Sequence, residues 1–179
     1  IKVLENHAPV LVKPVENVVM NGLDSSLEIN LSEYFQDEDG ETLSYIINKS
    51  GSTTIFQYSI DGNKLTLKSF AYGSSSLTLT ATDACGKTAT STFKLLVRDD
   101  SYPVDLYPNP VVDVLNIRTP EEMNTKVLIS NKAGAPVYKN DEAAVGPFSP
   151  LSVDMGSLPS GVYYVKIDGQ EEVFSVVKK

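Results

Sequence analysis

The sequence predicts an all-β protein built from two consecutive β-sandwich domains. Short segments alternate apolar and polar residues, turn-forming Gly, Asn, Asp, Ser and Pro separate them, and 179 residues are more than one small sandwich requires. Because alternation with a period of two buries one face of a strand, these segments predict half-buried strands. The hydrophobic content of 41% is enough to fill their cores.

The first half carries the pattern of about seven short strands. Alternation is clearest over residues 27–31, where Leu27, Ile29 and Leu31 share one face. A hairpin turn is predicted at residues 61–63 (Asp-Gly-Asn), which separate two apolar segments. The other predicted strands are residues 58–60, 65–67, 77–82 and 93–98.

A linker is predicted at residues 99–103, where charged residues and a proline interrupt the alternation. We therefore place one domain at residues 1–100 and the other at residues 101–179. Turns are predicted in the second domain at residues 132–134 and 168–169. Its predicted strands are residues 114–117, 126–130, 137–138, 151–154, 162–167 and 173–177.

Composition argues against several classes of protein. The net charge is −8 and Lys and Arg are not clustered, so no nucleic acid partner is expected. Cys85 is the only cysteine and His7 the only histidine, which excludes an internal disulfide and a zinc site without borrowed ligands. No apolar stretch is long enough to predict a transmembrane segment. Residues 1–3 show no signal-peptide features, so we expect a signal peptide and a further domain upstream in the same polypeptide.

No catalytic residues are predicted. A Ser-His-Asp triad would have to use His7, and the chain has no Gly-x-Ser-x-Gly motif. Residues 73–76 (Gly-Ser-Ser-Ser) lack the lysine and the helix of a phosphate-binding loop. The sequence therefore predicts a non-enzymatic chain.

Three motifs lie along the first domain: Asn6-His7-Ala8-Pro9, residues 37–40 (Asp-Glu-Asp-Gly) and residues 81–86 (Ala-Thr-Asp-Ala-Cys-Gly). With them, residues from about 7 to 98 resemble the cadherin-like, dystroglycan-type immunoglobulin domains of bacterial surface proteins. The resemblance implies an immunoglobulin-like sandwich that serves as a stalk or spacer, in some members made rigid by calcium.

Calcium is the one cofactor for which this chain offers candidate ligands. The ion takes 6–8 oxygen ligands, and Glu33, Asp37, Asp39 and Asp83, aided by backbone carbonyls, form the candidate set. An EF-hand starting at Asp37 is excluded, since its sixth position is Thr42 rather than Gly. The alternative is a solvated acidic turn with no bound ion, and the spacing leaves both interpretations open.

The second domain has a more specific set of motifs. Residues 107–110 are Tyr-Pro-Asn-Pro, residues 159–165 follow the pattern Pro-x-Gly-x-Tyr-x-Val, and the chain finishes with Lys178-Lys179. In order and spacing, residues 104–179 are similar to the C-terminal sorting domains of the type IX (Por) secretion system of Gram-negative bacteria. The resemblance implies that the secretion machinery recognises these motif residues: Pro108, Asn109, Pro110, Pro159, Gly161, Tyr163, Val165, Lys178 and Lys179.

The same resemblance implies a location and partners. Such tags direct a protein through the periplasm and across the outer membrane, where attachment machinery can cut off the tag and link the cargo to surface lipopolysaccharide. The translocon and this attachment machinery are therefore the expected partners, with cleavage near residues 99–103. The residues also have structural roles: Pro108 and Pro110 should end strand pairing, and Tyr163, Val165 and Ile167 should face the core.

The combination of both domains resembles the tail of exported subtilisin-like serine proteases, so any catalysis is expected before residue 1. An alternative is a carbohydrate- or protein-binding adhesin module, in which Tyr45, Tyr58 and Tyr72 would replace the usual tryptophans; packing within the sandwich is the other role for these tyrosines. A calcium-dependent adhesive repeat is a further alternative.

Overall fold

The computed structural model describes residues 5–51 and 54–179. The predicted first domain starts at residue 1, so its first four residues, together with residues 52 and 53, lie outside the described part. The chain forms two compact units, the first ending at Asp100 and the second beginning at Ser101. The described residues form β-strands and one 3₁₀ turn, Leu31–Glu33, and contain no α-helix. The predicted all-β class with two immunoglobulin-like sandwiches is confirmed.

The described residues of the first unit form nine strands, more than the seven or so that the sequence predicted. They are β1 (Val10–Leu11), β2 (Val18–Asn21), β3 (Ser26–Asn30), β4 (Phe35–Gln36), β5 (Ser44–Gly51), β6 (Phe56–Asp61), β7 (Lys64–Ser69), β8 (Gly73–Thr82) and β9 (Thr88–Arg98). One sheet has the order β2-β9-β8-β5, a second has β3-β7-β6, and β1 pairs with β4. All these pairs are antiparallel except β2 and β9, which run parallel.

The core of the first unit lies between its two larger sheets. Leu77, Leu79 and Ala81 of β8 are fully buried, whereas the threonines between them are half-buried. Leu65 and Leu67 of β7 are buried in the same hydrophobic cluster from the other sheet. Alternation with a period of two therefore places the apolar rows of both sheets against each other.

Seven strands make up the second unit. They are β10 (Asp105–Tyr107), β11 (Val114–Arg118), β12 (Met123–Asn131), β13 (Pro136–Val145), β14 (Leu151–Asp154), β15 (Gly161–Ile167) and β16 (Val173–Lys178). One sheet has the order β10-β11-β14 and the other β13-β12-β15-β16, with every pair antiparallel. Tyr163, Val165 and Ile167 are buried in the core, as predicted from their spacing.

The predicted turns are confirmed. Asp61 pairs with Lys64 across a two-residue hairpin loop, and residues 168–169 also form a turn. At residues 132–134, the Asn131 side chain accepts hydrogen bonds from the amides of Ala133 and Ala135, each at 3.0 Å. Gly134 has φ +79° there, a conformation that glycine adopts without a steric penalty.

Candidate functional site

The last strand of the second unit, β16, is joined to the segment that follows β10. Asn109 lies in this segment between Pro108 and Pro110. Its Oδ1 accepts a hydrogen bond from the Val177 amide at 3.0 Å, and its Nδ2 donates to the Ser175 carbonyl at 3.2 Å. Because proline has no amide hydrogen, the Asn109 carboxamide provides the donor that its two neighbours cannot.

Val111 continues this contact through its backbone. Its amide donates to the Val177 carbonyl at 2.8 Å, and its carbonyl accepts from the Lys179 amide at 2.9 Å. These bonds form a single parallel bridge between Val111 and Lys178. The Val111 side chain is fully buried in the core. We call residues 108–111 together with residues 175–179 the clasp.

Some residues of the clasp are exposed and others are buried. Pro108, Asn109, Pro110 and Lys179 are exposed, and Val177 exposes 42% of its surface. Lys178 is buried, with its ammonium group donating to the Lys179 carbonyl. A partner molecule can therefore reach both prolines and the terminal lysine at one surface, although their motifs stand at opposite ends of the second unit's sequence.

The Pro-x-Gly-x-Tyr-x-Val motif forms the turn before β15 and the start of that strand. Tyr163 donates its hydroxyl hydrogen to the Pro159 carbonyl at 2.8 Å. Tyr163 and Val165 are buried, whereas Pro159 and Gly161 are exposed. The two buried residues thus contact the core, and the exposed pair forms the accessible part of this motif.

In the first unit, residues 6 and 7 lie against two acidic turns. Asp39 accepts hydrogen bonds from the His7 amide at 2.6 Å and from the His7 ring Nδ1 at 3.1 Å. The hydrogen bond with Asp39, followed by the charges of Asp39 and Glu38, raises the pKa of His7. The backbone and ring hydrogen bonds from His7 lower the pKa of Asp39.

Asp83 is buried and fully engaged by this first unit. Its Oδ2 accepts from the Asn6 amide group at 3.0 Å, and its Oδ1 accepts from the backbone amides of Cys85 at 2.9 Å and Lys87 at 2.7 Å. Burial acts to raise the pKa of Asp83, but the hydrogen bonds from Asn6 and from the backbone outweigh it and lower the pKa. The Cys85 residue itself is exposed.

The other two candidate calcium ligands have different surroundings. Glu33 ends the 3₁₀ turn and pairs with Lys13 at 3.3 Å. Asp37 accepts a hydrogen bond from the Asp39 amide at 2.9 Å through Oδ1, while its buried Oδ2 has no hydrogen-bond partner. Within residues 5–51 and 54–179, no three His, Cys, Asp or Glu side chains are grouped to hold a metal ion. The predicted calcium site therefore stays a prediction.

The three tyrosines singled out from the sequence differ in their surroundings. Tyr45 makes an edge-to-face contact with Phe35, with ring centroids 6.0 Å apart. Tyr58 lies under the Lys49 ammonium group, 5.0 Å from its ring centroid. Tyr72 exposes 49% of its surface. Tyr45 therefore packs within the sandwich, whereas Tyr58 and Tyr72 are accessible.

The two units of the chain match two different protein families. Residues 6–95, about half of the chain, match the family model of the bacterial Ig domain. The chain belongs to this family. Residues 105–179 match the model of the secretion system C-terminal sorting domain. The first unit is hereafter the Ig domain and the second the sorting domain.

Several solved structures are similar to this chain at low sequence identity. The human desmocollin-1 ectodomain is 14% identical with a TM-score of 0.39, and the match covers 98% of this chain and 37% of that one. The D00-D0 domain of intimin is 12% identical with a TM-score of 0.42, covering 96% and 98%. Latent PorU from Porphyromonas gingivalis is 17% identical with a TM-score of 0.30, covering 97% and 20%. No curated protein matches the chain.

The sorting domain marks this protein for export to the cell surface or for secretion. An Ig domain joined to such a domain is an arrangement of exported proteins, and both are non-catalytic domain types. Among the described residues, no helix has the length and hydrophobicity that a bilayer crossing requires.

The clasp joins five of the nine residues that the sorting-domain resemblance indicated. These are Pro108, Asn109, Pro110, Lys178 and Lys179. The other four belong to the Pro-x-Gly-x-Tyr-x-Val motif. The motif residues predicted from the sequence did not include Val111, which bridges to Lys178. Its apolar side chain is the one local feature that could have indicated a buried, strand-like position after Pro110.

Proposed function

We propose that residues 101–179 are an export tag, and that the Ig domain is a non-catalytic spacer between this tag and an upstream domain. The tag directs the polypeptide from the periplasm through the type IX translocon and across the outer membrane. There the attachment machinery releases it into the medium or links it to the surface. The match of residues 105–179 to the sorting domain supports this function.

The clasp is the structural observation that carries the proposal. A tag recognised in its folded state needs accessible residues held in a fixed arrangement. The clasp holds the exposed Pro108, Pro110 and Lys179 beside one another through backbone and carboxamide hydrogen bonds. The accessible surface therefore combines two motifs of the sequence.

A passenger fusion tests the proposal. Residues 1–179 are joined behind a signal peptide and a fluorescent passenger in a bacterium that has a type IX system. We expect the passenger in the medium or on the cell surface, and in the periplasm when residues 101–179 are deleted. Retention of the full fusion in the periplasm, beside export of a known tag in the same strain, would contradict the proposal.

Release of the tag is proposed to occur near residues 99–103, between the two domains. The mass of the exported passenger measures the position of cleavage. A product that ends within this segment agrees with the proposal, whereas a cut inside either domain contradicts it.

The upstream domain is proposed to be a subtilisin-like serine protease, with this chain as its non-catalytic tail. The coding sequence that precedes residue 1 tests this part. Asp, His and Ser in the order of subtilisins would support it, and further sandwich repeats would instead favour an adhesin.

A second candidate function for the Ig domain is the binding of a carbohydrate or a host protein. The observation in its favour is the accessibility of Tyr58 and Tyr72, since exposed aromatic rings can stack on sugars. A glycan-array screen and a host-protein binding screen with the whole chain test this function. Binding that is lost in Tyr58→Ala and Tyr72→Ala supports it, and consistent absence of binding leaves the spacer.

A further inference from the structure

The end of β16 would be an open sheet edge without the clasp. In the sheet order β13-β12-β15-β16, this strand has β15 on one side only. Four outward backbone groups at its end are nevertheless bonded: the Ser175 carbonyl, the Val177 amide and carbonyl, and the Lys179 amide. Unbonded groups of this kind invite pairing with other chains, so the clasp protects this edge.

Asn109 accounts for half of that protection. Its side chain bonds the Ser175 carbonyl and the Val177 amide, and Val111 bonds the other two groups. Since Asn109 lies between two prolines, no neighbouring amide can replace the donor that it provides. The arrangement of the clasp therefore depends on one exposed side chain.

The Ig domain contains an asparagine in a matching position. Asn17 precedes β2, and its Oδ1 accepts a hydrogen bond from the Lys94 amide of the last Ig strand, β9, at 2.8 Å. Four consecutive residue pairs of the parallel β2–β9 ladder then follow, from Val18–Leu95 to Asn21–Arg98. We expect this ladder to persist without the Asn17 side chain, since none of its backbone pairs involves Asn17, so Asn17 is a control for Asn109 within the same chain.

We propose that Asn109 is the positioning residue of the export signal. It holds residues 108–111 against the last strand, and the translocon binds the joined surface of Pro108, Pro110, Val177 and Lys179 rather than either segment alone. This inference rests on the proposed export function. It adds that export requires a closed clasp in addition to a folded sorting domain.

Export of the full-chain passenger fusion measures the effect. We expect Asn109→Ala to lower the exported fraction at least tenfold, and Asn17→Ala to leave it at the level of the unchanged fusion. Asn109→Asp should also lower export, because its carboxylate cannot donate to the Ser175 carbonyl. If the unchanged fusion is not exported, the proposed function itself fails. If it is exported and Asn109→Ala is exported equally well, only the present inference is overturned.

A second pair of measurements separates positioning from a loss of stability. Val145 is fully buried at the end of β13, the edge strand opposite β16 in the same sheet, so Val145→Ala destabilises the core that Val111 shares while removing none of the clasp's hydrogen bonds. We expect Val145→Ala to lower the melting temperature of the sorting domain at least as much as Asn109→Ala does, and to be exported normally. An equal loss of export in both variants overturns the inference.

Hydrogen exchange tests the clasp itself. In Asn109→Ala the Val177 amide should exchange at least tenfold faster, while the amides of β15 that pair with β12 keep their protection. Unchanged exchange at Val177 overturns the assignment of Asn109 as the residue that holds the last strand.

Discussion

The two domains of this chain protect the edge of their last strand in different ways. In the Ig domain, β2 runs parallel to β9 over four residue pairs, and Asn17 adds a side-chain hydrogen bond in front of them. In the sorting domain, the segment beside the last strand contains two prolines and forms no such ladder. It is attached to β16 by one bridge at Val111 and by the carboxamide of Asn109. A backbone ladder spreads the attachment over many bonds, whereas the clasp concentrates it in two residues.

The segment leading into the Ig domain extends this contrast. Besides Asn17, it is attached by Asn6 to Asp83, by His7 to Asp39 and by the Val15 amide to the Ser91 hydroxyl at 3.0 Å. Because these attachments are independent, the loss of any one of them should reduce the stability of the Ig domain only slightly. The loss of one of the two attachments in the sorting domain should lower the stability of that domain more.

The largest effect is expected from the buried valine of the clasp. Val111→Ala removes two methyl groups from a fully buried site, which costs about 2 kcal/mol of unfolding free energy in the sorting domain. The matched change Val19→Ala, at a half-buried position of β2, should cost the Ig domain less than about 1 kcal/mol. Calorimetry that resolves the two unfolding transitions measures both. Equal losses would mean that the two attachments are equivalent.

A smaller effect is expected from the two asparagines. Asn109→Ala removes two solvent-exposed hydrogen bonds and should destabilise the sorting domain by roughly 1–1.5 kcal/mol, whereas Asn17→Ala removes one and should cost the Ig domain roughly 0.5 kcal/mol. Chemical denaturation followed at residues of each domain by NMR measures the difference. A larger cost for Asn17 would reverse the comparison.

Calcium should have little effect on the Ig domain. Glu33 is paired with Lys13, Asp39 with His7, and Asp83 with Asn6 and backbone amides, so ion binding would have to break existing contacts. We expect the melting temperature to stay the same in millimolar calcium and in chelator. A clear rise with calcium would instead support the predicted site, with the unpartnered Asp37 Oδ2 as one of its ligands and the unpartnered Asn6 Oδ1 as an additional one.

The smallest effect is expected from pH at the pair of His7 and Asp39. The raised pKa of His7 means that its stabilisation is complete below 6.5 and is lost as pH rises through the folded-state pKa. The lowered pKa of Asp39 means that its stabilisation is present above 3.8 and is lost as pH falls through the folded-state pKa. Both stabilising contributions are therefore present together between these two pH values.

An NMR titration of the His7 ring measures this pair directly. We expect a pKa above 6.5 that moves toward that value in Asp39→Asn, with little change in the melting temperature because the other attachments remain. A His7 pKa that is unaffected by Asp39→Asn would contradict the contact.

Local patterns were sufficient to predict much of this fold. Alternation indicated the buried rows of β8 and β15, and the Asp-Gly-Asn turn indicated the β6–β7 hairpin, because each depends on a few neighbouring residues. The same reasoning predicted only residues 137–138 of β13, which spans Pro136–Val145. Its polar stretch, residues 139–142, hides the alternation, since this edge strand is largely solvent-facing.

The candidate site was less accessible to sequence reasoning. Pro108 and Pro110 were expected to end strand pairing, and β10 does end at Tyr107. No pattern in the neighbouring residues indicated that the Asn109 side chain would form hydrogen bonds with a strand more than sixty residues later in the sequence. Contacts between a side chain and a distant backbone leave no periodic trace, and the partners of the acidic residues were hidden for the same reason.

The turn that follows Asp83 has exposed residues at 84–87 and contains the chain's only cysteine. The Cys85 amide donates a hydrogen bond to the Asp83 carboxylate, which fixes the backbone of the turn. The Cys85 thiol can therefore be labelled without introducing another cysteine. A maleimide dye that cannot cross membranes would therefore label one atom of the authentic chain on intact cells. The ratio of labelled to unlabelled protein, before and after lysis, would count the molecules that have reached the outside.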